Sequence, residues 1–306
     1  MIHLPFCYIC YSKIHPADLS KHGLHQACFD KYFKVQDSLE DFANLTLKQN
    51  SKEPENLSSI SNLNTSFFHG AFKKYSAEIA GQQYILKMQQ PDYPELPEVE
   101  WISNKIFQIL GINITEFCMI KYNDQIPTFV TKNFIKKSTP SNLVHIYHFL
   151  KNNEEYNCEN LVQIIFNQTG KLIDIKSFIE MVLADSLIGN HDRHGRNIGL
   201  IQTGPSKFQL SPIYDNPSYI GIESSILLDA DLNPVGKIYT SLSKEPTLID
   251  YIIEFKRLNY EEIVDNFIDK IKKHLNLITQ IVETSTISKN RKTAFKKIIL
   301  KRVNEI

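Results

Sequence analysis

Hydrophobic and polar residues alternate along residues 67–90, up to the run Gln83-Tyr84-Ile85-Leu86-Lys87-Met88. An alternation with a period of two predicts β-strands, because successive side chains of a strand point to opposite faces. Residues 117–135 predict two further strands, joined at Asn123-Asp124. The first part of the chain is therefore predicted to be rich in strands.

Helical patterns take over in the second part of the chain. Predicted helices occupy residues 98–110, 174–188 and 246–304. The helix at 174–188 is predicted to be mostly buried, and Ser177 and Glu180 have the spacing of a capping box. Two short strands are predicted between the helices, at residues 198–202 and 207–210.

These patterns divide the chain into three predicted parts. Residues 1–35 form a short segment that contains Cys and His, and residues 36–66 are polar, which is typical of a linker followed by a loop. We predict an α+β fold with two lobes. A strand-rich N-lobe covers residues 36–135, and a helical C-lobe covers residues 136–306.

Composition excludes several classes of protein. Lys plus Arg and Asp plus Glu both number 34 among 306 residues, so no net charge favours direct binding to nucleic acid or to an acidic membrane. No apolar run is long enough to span a membrane, and the first residues do not have the pattern that predicts a secretory signal. Five cysteines do not suggest a disulfide framework. A cytoplasmic protein is expected.

The strongest chemical signal is the run Asn190-His191-Asp192-Arg193-His194-Gly195-Arg196-Asn197, which follows the predicted buried helix. Tyr214-Asp215 comes directly after the short hairpin. Phosphoryl transfer needs a carboxylate near the attacking hydroxyl, oxygen ligands for Mg²⁺ and cations on the phosphates. Asp192 suits the first role. Asn197 and Asp215 suit the second, because Mg²⁺ prefers oxygen donors.

A cation for the phosphates comes from the strand-rich part. Lys87 lies on a predicted strand, and Glu100, early in the next helix, can hold it by an ion pair. The order of these five residues is that of the protein kinases, which predicts ATP and Mg²⁺ as cofactors and a two-lobed, protein-kinase-like fold. The alternative for residues 191–197 is a zinc or iron hydrolase site, but no third distant His motif accompanies them.

At these residues the sequence resembles the HipA family of bacterial toxin kinases. Residues 190–197 fit the family's catalytic-loop pattern Asn-x-Asp-Arg-His-x-x-Asn, and Tyr214-Asp215 fits its metal-binding Asp. The resemblance covers roughly residues 56–300 and implies a serine/threonine protein kinase toxin. It also implies that His194 belongs to the nucleotide site and that the protein substrate is an aminoacyl-tRNA synthetase.

The stretch expected over the phosphates departs from the family pattern. The family often has a loop like Ser-Ile-x-Gly-Val-Gln-Pro-Lys, where this chain has Ser59-Ile60-Ser61-Asn62-Leu63-Asn64-Thr65-Ser66. Its Ser-Ile-Ser resembles the variant loop of the short HipT branch, whose serines are autophosphorylated. The resemblance implies that Ser59, Ser61 and Asn62 contact the nucleotide and that Ser59 and Ser61 are autophosphorylated. The alternative is an ordinary polar loop.

The length of the chain suggests its partners, and the composition of the loop at 59–66 raises an alternative to catalysis. HipA-like chains usually carry an extra N-terminal subdomain, and this chain begins close to the kinase lobe, as in the three-component HipBST systems. The resemblance therefore implies a HipS-like small antitoxin and a HipB-like DNA-binding partner. Because the loop lacks glycine, a catalytically silent kinase-fold binding module is the second hypothesis. A lipid or small-molecule kinase is the third.

Two pairs of possible metal ligands lie near the N-terminus. Cys7 and Cys10 have the spacing Cys-x2-Cys, and His25 and Cys28 follow after a 14-residue loop. This pattern suits four-coordinate zinc in a structural site. The alternative is that these cysteines are simply buried as small apolar groups.

Overall fold

The computed structural model describes residues 6–48, 72–135, 141–151, 154–224, 228 and 233–306. The chain forms two compact units, Met1–Trp101 with Thr115–Phe134 and Ile102–Ile114 with Ile135–Ile306. The first unit contains most of the strands, and the second contains most of the helices. The predicted α+β fold class is confirmed.

Each predicted strand and helix has a counterpart in the structure, which also contains elements that the sequence analysis did not predict. The strands are β1 Ser20–Lys21, β2 Leu24–His25, β3 Ala43–Lys48, β4 Lys74–Ile79, β5 Gln82–Met88, β6 Phe117–Tyr122, β7 Ile126–Lys132, β8 Asn142–His145, β9 Gly199–Gly204 and β10 Lys207–Leu210. The α-helices are α1 Gln26–Phe33, α2 Leu96–Ile109, α3 Cys158–Thr169, α4 Leu172–Ile188, α5 Tyr219–Ile222, α6 Leu248–Arg257, α7 Glu261–Thr284 and α8 Lys289–Asn304.

The first unit is built on a five-stranded antiparallel sheet with the order β3-β4-β5-β7-β6. The β6–β7 turn places Asn123 and Asp124 at φ 50° and 61°, a left-handed backbone that Asn and Asp tolerate better than most residues. One apolar cluster joins the sheet to the N-terminal segment, with Phe29 and Phe33 of α1 packed beside Leu86 of β5. The N-terminal segment therefore shares the core of the sheet.

Strand β3 is one of several elements that the sequence did not predict, together with β1, β2, β8, α1 and α3. It lies at the edge of the sheet, within the stretch predicted to be linker and loop. Its two leucines, Leu45 and Leu47, are 39% and 37% exposed. An edge strand needs little apolar surface, since only one of its sides pairs with a neighbour, so its hydrophobic signal is weak.

The second unit surrounds helix α4, which is buried on nearly all sides. A helix that is apolar all round belongs in a core, as predicted for this segment. The predicted capping box is wrong. Helix α4 begins at Leu172, so Ser177 lies inside it and donates to the carbonyl of Ile173, and Glu180 pairs with Lys270 at 2.8 Å.

A three-stranded antiparallel sheet, in the order β10-β9-β8, completes the described part of this unit. Strands β9 and β10 form the predicted hairpin that separates the catalytic-loop run from Tyr214-Asp215. No described helix combines the length and the apolar character that a membrane span requires.

Helix α4 ends at Gly189, which holds the start of the loop at 189–197. Gly189 has φ 70°, and a Cβ there would lie 2.7 Å from the ring of Tyr219 and 2.9 Å from Pro234. Glycine is thus required twice, for the left-handed backbone and for the close approach of the ring. Gly170 ends α3 with a similar φ of 64°, but nothing lies within 4 Å of its added Cβ.

The pair Gly189→Ala and Gly170→Ala separates these two effects. Gly170→Ala is expected to cost about 1 kcal/mol of unfolding free energy, because only the left-handed backbone is strained. Gly189→Ala is expected to cost roughly 1–3 kcal/mol more, because the new methyl group collides with Tyr219. Urea unfolding followed by circular dichroism measures both costs. Equal costs would contradict the packing argument.

Candidate active site

Lys87 and Glu100 form a buried ion pair within the first unit. Lys87 lies on β5 and Glu100 on α2, and the Lys87 Nζ donates to Glu100 Oε1. The two side chains are 6% and 1% exposed. A charged lysine at such depth requires an opposite charge nearby, since burial alone disfavours the ammonium group. The structure therefore brings together the two residues that the sequence paired.

In the second unit, the loop after α4 fixes the backbone of Asp192. The Asn190 amide nitrogen donates to Asp185 Oδ1 at 2.8 Å, and its amide oxygen accepts from the Asp192 N–H at 3.0 Å. The side chain of Asp192 itself is 40% exposed. A carboxylate that is reachable from solvent on a fixed backbone is suited to accept a proton from a substrate hydroxyl.

Arg193 is the centre of the hydrogen-bond network in this unit. Its side chain is buried, and it binds both carboxylate oxygens of Asp185, at 2.6 and 2.9 Å. The other bonds run to the carbonyls of Asn197 and Tyr214 and to the Asn216 side chain, at 3.1, 2.8 and 2.6 Å. All five N–H groups of the guanidinium are thus used.

The charge on Arg193 depends on its partner. Burial opposes the charged form, but the Asp185 carboxylate outweighs this and raises the pKa of the guanidinium. Two N–H groups of one cation, placed on two carboxylate oxygens, make a geometrically specific pair. The pair joins helix α4 to the loop that carries Asp192.

The predicted magnesium ligands lie on segments that Arg193 binds. The Asn197 amide nitrogen donates to the Asp192 carbonyl at 2.8 Å, so the amide oxygen is the atom suited to a metal. Asp215 follows Tyr214 and precedes Asn216, which both bind Arg193. It adopts φ 59°, a left-handed backbone that Asp tolerates better than most residues. Such conformations are concentrated at functional sites.

Asn216 extends the network to helix α2. Its amide nitrogen donates to Asn104 Oδ1 at 3.0 Å, and both residues lie in the second unit. Their side chains are buried, with 0% and 1% exposed. The network therefore links residues 112 positions apart in sequence.

His191 and His194 are neutral neighbours of Asp192. Burial lowers the pKa of both rings, although the Asp192 carboxylate opposes this shift. The His194 ring accepts the Arg196 N–H at Nδ1, at 3.2 Å, so Nε2 carries the proton. Over the described ranges, the structure does not gather these side chains into a set of three metal ligands. The hydrolase alternative for this loop has no support from the geometry.

The N-terminal ligands do converge. The ligand atoms of Cys7, Cys10, His25 and Cys28 all lie within 4.8 Å of one another. Among the described residues this is the one such group of His, Cys, Asp and Glu side chains. The predicted nucleotide contacts and phosphosites at Ser59, Ser61 and Asn62 lie outside the described residues.

Sequence reasoning singled out Arg193 as part of the catalytic-loop motif but missed three other residues that support the loop, namely Asp185, Asn216 and Asn104. One feature of the sequence could have indicated Asp185. An acid in the middle of an apolar helix, as at position 185, is rarely buried unless it is paired. Its partner was not evident, because the pairing depends on how the loop folds back on the helix.

Residues 66–293 match the family model described as the HipA-like C-terminal domain. This match covers about three quarters of the chain. The chain belongs to the HipA-like C-terminal domain family.

Two curated relatives of this family member are named as kinases. The Y4dM protein of Sinorhizobium fredii (strain NBRC 101917 / NGR234), named as a candidate kinase, is 27% identical over 157 residues. That match covers 45% of this chain and 38% of Y4dM. The serine/threonine-protein kinase CtkA of Helicobacter pylori (strain J99 / ATCC 700824) is 24% identical over 175 residues, or 54% of this chain and 53% of CtkA. The matches thus span about half or less of these relatives.

Solved structures share the fold. The crystal structure of the H. pylori proinflammatory kinase CtkA superposes with a TM-score of 0.59 at 20% identity, covering 78% of this chain and 90% of that one. HipA of Shewanella oneidensis MR-1, solved with HipB and its operator DNA, superposes with a TM-score of 0.56 at 15% identity. It covers 84% of this chain and 66% of that one. The HipA-like, kinase-like fold class is confirmed.

The Arg193 network makes a prediction for stability. Arg193→Met is expected to cost about 3–5 kcal/mol of unfolding free energy, because it leaves the Asp185 carboxylate buried without its cation. Lys256→Met is the matched control, since Lys256 pairs with Asp265 at the surface, where the side chains are 43% and 59% exposed. Its expected cost is below about 1 kcal/mol. Similar losses in urea unfolding would contradict the role given to Arg193.

Proposed function

We propose that this HipA-like protein is a serine/threonine protein kinase that transfers the γ-phosphate of ATP to a protein. The observation that carries the proposal is the Arg193 network, which holds Asp192, Asn197 and the Tyr214-Asp215 segment on one framework. The buried Lys87–Glu100 pair adds the fourth element of the kinase scheme. Family membership and kinase-named relatives support the same class.

Each residue has a proposed role. Asp192 accepts the proton of the substrate hydroxyl. The oxygen of that hydroxyl then bonds to the γ-phosphorus, while the bond from the γ-phosphorus to the bridging oxygen breaks and ADP leaves. Lys87, oriented by Glu100, binds phosphate oxygens. His194 lines the nucleotide site as a neutral ring, so it adds no positive charge there.

Mg²⁺ fits the donor set that these residues offer. The Asn197 amide oxygen and the Asp215 carboxylate are hard oxygen donors, and Arg193 binds the Asn197 carbonyl and both sequence neighbours of Asp215. When bound, the ion would neutralise charge on the phosphates. Arg193 cannot replace it, because its own N–H groups are all directed into the protein.

We assign the kinase to toxin–antitoxin biology, closest to the HipT branch. The support is the family match together with the fold shared with HipA of S. oneidensis, which was solved with HipB and operator DNA. The proposed partners are a HipB-like DNA-binding protein and a HipS-like small antitoxin. The proposed substrate is an aminoacyl-tRNA synthetase, and the proposed location is the cytoplasm, where ATP and this substrate occur together.

The central test is phosphoryl transfer from labelled ATP with Mg²⁺, using the purified chain alone and with a cell extract. Asp192→Asn and Asp215→Asn are each expected to lower the rate roughly 100-fold or more, because they remove the proton acceptor and a metal ligand. Asp269→Asn, on the exposed side of α7, is the control and should retain full activity.

The outcome also separates the proposal from the second hypothesis. Label that appears in one extract protein and disappears in both variants identifies a kinase and its substrate. A wild-type chain that binds ATP but transfers no phosphate, alone or with extract, contradicts the proposal and favours a silent binding module. Label in lipid or in small molecules would favour the third hypothesis.

Ser59 and Ser61 are proposed as autophosphorylation sites. A phosphate on either serine adds nearly two negative charges, which would repel the phosphates of ATP. Intact mass and site mapping are expected to find phosphate in the wild type and none in Asp192→Asn. Ser59→Ala with Ser61→Ala should abolish it, whereas Ser58→Ala, at the adjacent position in the sequence, should not. Equal phosphate in the wild type and in Asp192→Asn would exclude autophosphorylation.

A further inference from the structure

The N-terminal segment collects four soft or borderline metal ligands from three separate elements. Cys7 and Cys10 lie in a turn before the first hairpin, His25 ends β2, and Cys28 lies in the first turn of α1. Their ligand atoms lie within 4.8 Å of one another. Three thiols and one imidazole match the Cys₃His set of structural zinc sites.

The backbone is folded to bring these side chains together. The Cys7 N–H donates to the Ser12 carbonyl at 2.9 Å, and the Tyr11 N–H donates to the Cys7 carbonyl at 2.8 Å. Tyr11 accepts a left-handed φ of 60° to close this turn. The turn thus places the two cysteines of the Cys-x2-Cys pair on the same side, facing the start of α1.

The ring of His25 is already oriented as a metal ligand. Its Nδ1 lies 3.3 Å from the Cys10 sulfur. Its Nε2 lies on the opposite side, 3.3 Å from the Lys13 carbonyl and 3.5 Å from the Asp18 carboxylate. Histidines that bind zinc usually donate their second N–H to a carbonyl or carboxylate in this manner, which fixes the tautomer. Asp18 is itself held by the His15 N–H at 2.7 Å.

Neither apolar packing nor a disulfide accounts for all four side chains of the cluster. Cysteines that act as small apolar core groups are buried, and Cys7 is, but Cys10 is exposed. A disulfide would use two of the three sulfurs and would not explain why the His25 ring is turned toward the Cys10 sulfur. A zinc ion uses all four side chains.

We infer that Cys7, Cys10, His25 and Cys28 bind one Zn²⁺ ion that fixes the N-terminal segment against helix α2. Four protein ligands leave no open position, so the site is structural. The link to α2 is Tyr8, which lies between the first two ligands. Its ring packs edge-on against Trp101 with the centroids 5.9 Å apart. Trp101 directly follows Glu100, the partner of Lys87.

Trp101 makes this inference measurable, because it is the single tryptophan of the chain. The full-length protein is purified after expression with added zinc, and its metal content is measured by mass spectrometry. One zinc per chain is expected. Removal of the metal with a strong chelator should shift the Trp101 emission, and added Zn²⁺ should restore it while Mg²⁺ does not. Exchange with Co²⁺ should give the absorption of a tetrahedral, thiolate-bound ion.

Cys10→Ser is the decisive variant, since an exposed side chain can be changed without disturbing the core. It is expected to lose the zinc and the chelator-dependent change in emission. Cys158→Ala, a cysteine of the second unit, is the control and should keep both. Wild-type protein without zinc, equal zinc in the two variants, or a disulfide between Cys7 and Cys10 would overturn the inference. These readouts do not depend on kinase activity.

Discussion

The buried guanidinium of Arg193 is the constraint on which the second unit of this protein depends. A buried N–H group without an acceptor costs roughly 1–3 kcal/mol, so five of them in one side chain restrict the surrounding backbone strongly. The carbonyls of Asn197 and Tyr214 must face inward to serve Arg193. The proposed magnesium ligands, Asn197 and Asp215, therefore lie on a backbone that has little freedom to move.

The elements that carry the proposed site residues could be predicted from the sequence, because each of them is encoded in a short segment. The strand of Lys87, the helix of Glu100 and the hairpin before Asp215 all lie where the hydrophobic pattern and the turn residues predicted. The supporting contacts did not follow, because they join distant positions. Asn104 and Asn216 are 112 residues apart, and no periodicity links them. Strand β3 was not predicted for another reason, since its half-exposed leucines lie in a polar stretch that resembles a loop.

Charge burial is the common theme of both units. Lys87 with Glu100, and Arg193 with Asp185, are ion pairs in which every side chain is at most 6% exposed. Pairs at such depth contribute little net stability, because desolvation offsets the attraction. They are costly to break, however, and so they specify one arrangement of their elements. In this protein the two ion pairs fix the elements that carry the residues proposed to act on the nucleotide.

The all-round apolar surface of α4 has a consequence for biosynthesis. The C-terminal helix covers part of α4, and Arg302 donates to the Ser186 hydroxyl at 3.4 Å. At the usual rate of about 5–20 residues per second, the ribosome reaches that helix about 5–20 seconds after it completes α4. During this interval the apolar surface of α4 is not yet covered by α8. A nascent chain of this kind is a natural client for chaperones, and one that stops short of α8 would aggregate.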